Sequence, residues 1–191
     1  MDNHPNWFQT DGLNNFQNHL KVLDGTPLRL LQIGAYTGDA SVWMVDNIMS
    51  NPDSVLIDVD TWEGSEEPVH YQMNWHTVES VYDAKTHAAR LNRKIIKYKS
   101  TSDEFFKNNR ETYSFIYIDG DHTAYGVIKD AVSAYECLSI GGIIAFDDYQ
   151  WSAGLGAIKE PRLAIDSFAS IYADRLEEVL SGYQRWFRKI R

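Results

Sequence analysis

The feature that most constrains this chain is a repeated pairing of short, nearly continuous apolar runs with amphipathic stretches. Leu28 to Ile33, Val55-Leu56-Ile57, Lys94 to Tyr98, Phe115 to Ile118 and Ile143 to Phe146 have the length and apolar density of strands buried on both faces. Between them lie helical patterns: one from about Ala40 with Val42, Val45 and Met49 on a face, one over about 76–92, and a short one capped by Ser102 and running to Phe106. A further helix carries Ile128, Ala131, Val132 and Tyr135, and Gly141-Gly142 turns from it into the fifth strand. Leu13, Phe16, Leu20 and Leu23 predict a first helix closed by Asp24-Gly25 and Pro27. Pro161 predicts the start of a last one, with Ala164, Phe168 and Ile171 on its face. Residues 176–180 and 183–190, parted by Ser181-Gly182, read as a closing hairpin. Such alternation implies an α/β fold with a mostly parallel sheet covered by helices on both sides. At 191 residues it predicts a single domain over 1–191.

Composition removes several functions. Lys and Arg total 18 against 27 Asp and Glu, a net charge of −9, so the chain repels phosphate backbones and no nucleic acid is expected as a partner. The apolar runs are strand-sized, so no membrane partner is expected either, and Met1 to Pro5 lacks the basic and apolar regions of a signal peptide. A single cysteine, Cys137, permits no internal disulfide and suits the cytoplasm. His70, His76 and His87 make no H-E-x-x-H motif and read as solvated or packed, and Ser100 and Ser102 lack a G-x-S-x-G elbow. Arg185, Arg188, Lys189 and Arg191 beside Trp186 form either a basic aromatic strip or a protected edge strand.

Three clusters carry chemistry. Gly34-Ala35-Tyr36-Thr37-Gly38, between the first strand and its helix, allows a tight turn and close backbone approach to a ligand, or is a plain turn. It is not the G-x-G-x-x-G of a dinucleotide site, which disfavours a nicotinamide oxidoreductase, and Asp39 would repel a phosphate there. At the second strand's end, Asp60 could accept both hydroxyls of a ribose, with Thr61 beside it and Trp62 offering a face to a base or a cation. Asp58 is the alternative acid, expected on the other side of the strand. Asp119-Gly120-Asp121-His122 and Asp147-Asp148-Tyr149 end two further strands. Carboxylates converging there either surround a hard divalent cation such as Mg²⁺ or cap their own turns.

The stretches LLQIGAYTGDASVWM (30–44), IDVDTWEGS (57–65), FIYIDGDHTAYGVIKD (115–130), GGIIAFDDYQW (141–151) and PRLAIDSFASIY (161–172) resemble class I S-adenosylmethionine-dependent methyltransferases. The similarity is to the small single-domain branch that includes macrocin O-methyltransferase and cephalosporin hydroxylase-like proteins. It implies a Rossmann-like sandwich: a seven-stranded, mostly parallel sheet whose last strand is antiparallel. It also implies cofactor-binding positions at Gly34, Ala35, Tyr36, Gly38, Ser41, Asp60, Thr61, Trp62, Thr101, Ser102 and Asp119. The positions of Asp119, Asp147 and Asp148 match a divalent-metal site, with Asp121 or His122 as the proton acceptor.

The expected cofactors are therefore S-adenosylmethionine and a divalent metal, Mg²⁺ by preference. The expected reaction is O-methylation of a small hydroxylated acceptor, such as a sugar or a natural product. Residues 1–26, including Trp7 and Phe8, and the loop at 62–75 are expected to close over that acceptor. The expected partner is the small molecule, with a homo-oligomer left open. Gln32 stands where the family has an acid before the glycine, and it motivates the alternative of a non-catalytic binding protein that keeps the fold.

Overall fold

In the computed structural model, which describes residues 4–65 and 69–191, the apolar runs become β1 (Arg29–Ile33), β2 (Val55–Asp60), β3 (Ile95–Lys99), β4 (Tyr113–Ile118) and β5 (Leu138–Phe146). The closing hairpin supplies β6 (Leu176–Ser181) and β7 (Arg185–Lys189). Together they form one sheet of order β3-β2-β1-β4-β5-β7-β6. Strands β1 to β5 pair in parallel, while β7 pairs antiparallel with both β5 and β6, so the last strand alone runs against the rest. The order reverses between β1 and β4, which opens a crevice at their carboxyl ends.

The helices are α1 (Leu13–His19), α2 (Asp39–Ile48), α3 (Trp75–Leu91), α4 (Ser102–Asn108), α5 (Ala124–Cys137) and α6 (Arg162–Ile171). The two-residue strand period sorts the core. Leu31, Ile33, Ile116, Ile118, Ile144 and Phe146 meet α4, α5 and α6 on one face. Leu30, Leu56, Phe115, Tyr117 and Ala145 meet α1 and α2 on the other. No described helix is long and apolar enough to cross a membrane.

Several boundaries and faces differ from expectation. Helix α2 buries Ala40, Ser41, Met44 and Ile48, and Met49 after it is buried as expected, but Val42 and Val45 lie at its flank. In α6, Ile165 is buried and Ile171 is exposed. Gly141-Gly142 lies inside β5, as an irregularity of the β4–β5 register, instead of leading into it. Thr101, not Ser102, caps α4: its hydroxyl accepts from the Glu104 N–H, while Ser102 is the first helical residue. Within the expected 62–75 loop, His70–Gln72 forms a 3-10 turn, Trp75 already belongs to α3, and residues 66–68 lie outside the described residues, as do 1–3.

Phe16 and Leu20 of the N-terminal segment are fully buried. The Phe16 ring stands edge-on to Phe115, Tyr117 and Trp186, with centroids 5.7, 5.1 and 5.5 Å away. This part of the segment belongs to the core, and only the turn around Trp7–Asp11 reaches the crevice. Phe16→Ala should therefore cost about 3–5 kcal/mol of unfolding free energy, measured by urea denaturation. A loss below about 1 kcal/mol would show that α1 is docked loosely.

Candidate active site

The crevice is built on a crossing of two chain segments. Gly34, at φ +86°, passes so close to β4 that a Cβ there would lie 1.9 Å from the Asp119 carbonyl oxygen. Its turn is tied to the end of β2 chiefly by one carboxylate. Asp60 Oδ2 accepts the backbone N–H groups of Ala35 (2.7 Å) and Tyr36 (2.9 Å), and Oδ1 accepts that of Trp62 (2.7 Å). Tyr36 and Trp62 adopt left-handed backbone conformations, and these bonds hold both. Asp39 is paired with Lys85 Nζ at 2.7 and 2.8 Å and with Asn6 Nδ2 at 3.0 Å.

Behind the turn lies a buried polar layer. Gln32 donates to the Gly34 carbonyl at 2.8 Å and accepts from the Ser41 hydroxyl at 3.3 Å. Asp58 is fully buried, and its Oδ2 accepts the Tyr82 hydroxyl at 2.8 Å. The two-residue period places Asp58 on the same face of β2 as Asp60, correcting the expectation of opposite faces; it differs in depth, lying under α2 and α3.

A cavity of about 980 Å³ opens over the strand ends. Gly34, Ala35, Tyr36, Asp60, Thr61, Thr101, Ser102 and Asp119 reach its wall. Gly38, Ser41 and Trp62 do not. Gly38 packs on Tyr82 and Thr86, and Ser41 is fully buried behind Gln32. The Trp62 indole is 2% exposed and donates to the Tyr36 carbonyl at 2.9 Å. Its face does hold a cation, but that cation is the chain's own Lys97, 4.4 Å from the ring centroid.

The acids divide into two kinds. Ligand atoms of Asp119, His122 and Asp148 all lie within 4.8 Å of one another. His122 Nε2 is 3.0 Å from Asp148 Oδ2 and 3.7 Å from Asp119 Oδ1, and Tyr183 donates its hydroxyl to Asp148 Oδ1 at 2.7 Å. Asp147, expected in this set, is engaged elsewhere: it accepts from the Tyr117 hydroxyl, from Gln184 Nε2 (3.1 Å) and from the Asp148 N–H (2.9 Å). His122 takes its place. Asp121 accepts the N–H and the hydroxyl of Thr123, both at 2.9 Å, forming the turn into α5. Burial, then the Asp147 charge, holds the Asp119 carboxyl well above the usual carboxylate range, with His122 opposing. Burial and the adjacent Asp148 push Asp147 up to about 7. A cation among these oxygens would relieve the repulsion that raises both, so the donor set fits a small divalent ion.

The opposite rim is aromatic. Trp7 stacks on Tyr36 (centroids 4.7 Å apart), and His70 stands edge-on to Trp75 at 4.8 Å; all four line the cavity. His70, read from sequence as solvated or packed, thus joins the wall, and Trp75 and Tyr183 had no motif to mark them. The only signal was aromatic density between Trp62 and Trp75.

Asp58 makes a pH-dependent prediction. Burial raises its carboxyl from 3.8 to about 7, against the opposing Tyr82 bond. A folded-state value above the unfolded one means that the native state prefers the protonated acid. Its contribution is present in full below the unfolded value and is lost as pH rises through about 7. Asp58→Asn should therefore leave stability near pH 4 almost unchanged and raise it at pH 8 on the order of a few kcal/mol, read by urea unfolding at both values. Equal effects at the two pH values would contradict the burial argument.

Residues 31–149 match the methyltransferase domain family. No curated protein matches the sequence. Among solved structures, the chain is similar to the O-methyltransferase TomG from Streptomyces achromogenes, involved in tomaymycin synthesis and crystallised with S-adenosylmethionine, at 11% identity and a TM-score of 0.65 over 93% of this chain and 78% of that one. It is similar to the O-methyltransferase NovP at 16% identity and a TM-score of 0.68, covering 94% and 79%. The mycinamycin-pathway methyltransferase MycE, in complex with Mg and S-adenosylhomocysteine, gives 15% and 0.61 over 93% of this chain and 49% of that one. With the family matched across β1 to β5 and the sheet closed by an antiparallel last strand, the chain belongs to the class I S-adenosylmethionine-dependent methyltransferases.

Proposed function

We propose that this methyltransferase acts on a hydroxyl oxygen of a small, uncharged, polyhydroxylated acceptor, with a divalent ion held by Asp119, His122 and Asp148. The observation that carries the reading is shared access. The acid–imidazole cluster, the glycine turn and Asp60 all open into one cavity, so a donor on the turn and an acceptor at the cluster would meet. The O-methyltransferases TomG and NovP support oxygen as the target atom, and the Mg in MycE supports the ion.

S-adenosylmethionine supplies an electrophilic methyl group on a sulfonium, so the residues around it have mainly to hold and align. Gly34 to Tyr36 present a tight turn, and the Asp60 carboxylate stands at the expected ribose position with Thr61 beside it. Thr101 and Ser102 wall the far end. A divalent ion at the cluster would lower the pKa of an acceptor hydroxyl and orient it. Asp147, anchored by Tyr117 and Gln184, keeps Asp148 in its left-handed conformation behind the cluster. With His122 holding the ion, Asp121 is the group on the cavity wall suited to take the acceptor's proton; were the ion held by the carboxylates alone, His122 would take that role. Trp7, Tyr36 and Trp75 offer flat faces to a sugar or planar ring, and the turn carrying Trp7 and Asp11 covers the acceptor. We place this reaction in the cytoplasm, on the strength of one buried thiol, Cys137.

The test is labelled-methyl transfer over a panel of hydroxylated acceptors, with and without Mg²⁺. Turnover should require the ion, and Asp148→Asn should lower it on the order of 100-fold while weakening ion binding. Asp121→Asn should lower turnover and leave ion affinity intact, whereas His122→Ala should lower both. S-adenosylhomocysteine binding with no acceptor methylated would favour the non-catalytic reading of the fold.

A further inference from the structure

The turn that lines the donor side of the cavity begins with one peptide plane held from two sides. The Gly34 carbonyl and the Ala35 N–H belong to the same trans peptide and point to opposite edges of it. Gln32 Nε2 donates to the carbonyl at 2.8 Å, and Asp60 Oδ2 accepts from the N–H at 2.7 Å. The far end of the Gln32 amide is fixed as well, since its Oε1 accepts the Ser41 hydroxyl at 3.3 Å. Gly34, at φ +86° and without a side chain, lets that plane rotate unless its edges are held. Gln32, Gly34, Ala35 and Asp60 all border the cavity. The surroundings also select an amide at position 32. Gln32 and Asp58 are register partners on adjoining parallel strands, about 4.8 Å apart, and Leu30 and Leu56, two residues back, share one core. Both side chains therefore lie on one face, and Asp58 Oδ1 is buried there without a hydrogen-bond partner. A carboxylate at 32 would meet a second acid in a buried site, and when ionised it could only accept, leaving the Gly34 carbonyl without a donor.

We propose that Gln32 is a positioning residue for methyl-donor binding: with Asp60 it clamps the Gly34–Ala35 peptide from both edges and so sets the wall on which the donor lies. The inference rests on the S-adenosylmethionine reading of the cavity and goes beyond it, because it gives a role to the side chain that motivated the non-catalytic alternative. The amide is then a working part of a methyltransferase and not the mark of a lost one. The two bonds depend on each other. Once Gln32 lets go, the plane can turn on Gly34 and carry the Ala35 N–H away from Asp60, which loosens the turn and the carboxylate together.

The experiment pairs calorimetric titration of S-adenosylhomocysteine with hydrogen exchange at the Ala35 amide, in the wild type, Gln32→Met, Asp60→Asn and the double variant. Gln32→Met, which keeps the length and removes the donor, should weaken binding about 10-fold. It should also speed exchange at Ala35 about 10-fold while leaving Leu31, inside β1, unchanged. In the double variant the loss of affinity should fall short of the product of the two single losses by about threefold or more, because both bonds hold one plane. Gln32→Glu should bind no more tightly than the wild type. Ser41→Ala, which releases the Oε1 end of the amide, should weaken binding about threefold and carries the test should Gln32→Met fail to fold. Unchanged affinity in Gln32→Met and Ser41→Ala would overturn the proposal, as would exchange that quickens equally at Leu31 and Ala35. So would losses that multiply in full, or tighter binding by Gln32→Glu, which would mark a site short of an acid. A wild type that protects Ala35 yet binds no S-adenosylhomocysteine would overturn the cofactor reading, and the positioning role with it.

Discussion

The site depends on one carboxylate doing the work of a splice. Asp60 gathers the N–H groups of Ala35, Tyr36 and Trp62, and so binds the end of β1 to the end of β2 at the point where Gly34 presses against the Asp119 carbonyl. Three parallel strands thereby converge on a turn too tight for any side chain at position 34. The N–H groups of Ala35, Tyr36 and Trp62 find no strand or helix partner, and a charged acceptor satisfies them more strongly than a neutral one. The same acid lines the cavity. Its structural and proposed binding roles therefore draw on the same two oxygens, and the backbone bonds hold the carboxylate in place before any ligand arrives.

The second organising constraint is electrostatic. Asp119, Asp147 and Asp148 come together because β4 and β5 are neighbours in register, with Ile118 beside Phe146. Three negative groups in a sheltered cleft are costly, and the structure limits the cost in two ways. Asp147 is drawn back onto Tyr117 and Gln184, which ties it to β7 and the N-terminal side of the core. His122 is placed between the other two, its Nε2 3.0 Å from Asp148 Oδ2 and 3.7 Å from Asp119 Oδ1. Asp147 still lines the cavity, but the ligand atoms gathered there are those of Asp119, His122 and Asp148.

Much of this could be read from the residue order. Four of the five parallel strands fall where apolar runs of three to six residues end in acid or glycine, because a strand buried on both faces has few polar positions to spare, whereas β3, at the sheet edge, ends in Lys99-Ser100. The helix faces were less legible. Val42 and Val45 looked like the core stripe of α2, yet the sheet packs against Ala40, Ser41 and Met44. The buried face of α2 runs through Ala40, Met44 and Ile48, a stripe at the same helical spacing displaced from Val42 and Val45, so spacing alone did not choose between the two. Trp62 misled for a related reason: an aromatic beside a binding acid invites a stacking role, but its left-handed backbone turns the indole under the turn, onto Tyr82 and Lys97.

By itself, the sequence determined the alternation of elements, the crevice at the strand ends and the identity of the acids that gather there. All of these follow from local periodicity and from where polar residues interrupt apolar runs. How deep each acid lies and which groups it meets were decided only by the tertiary structure. Asp58 and Asp60 share a strand and a face, yet one is sealed beneath two helices and the other stands at the cavity. Asp147 and Asp148 are consecutive, yet one turns back to Tyr117 and the other meets His122. Depth below a surface and the direction of a side chain at a strained backbone position depend on packing partners far away in the chain, and no local pattern encodes them.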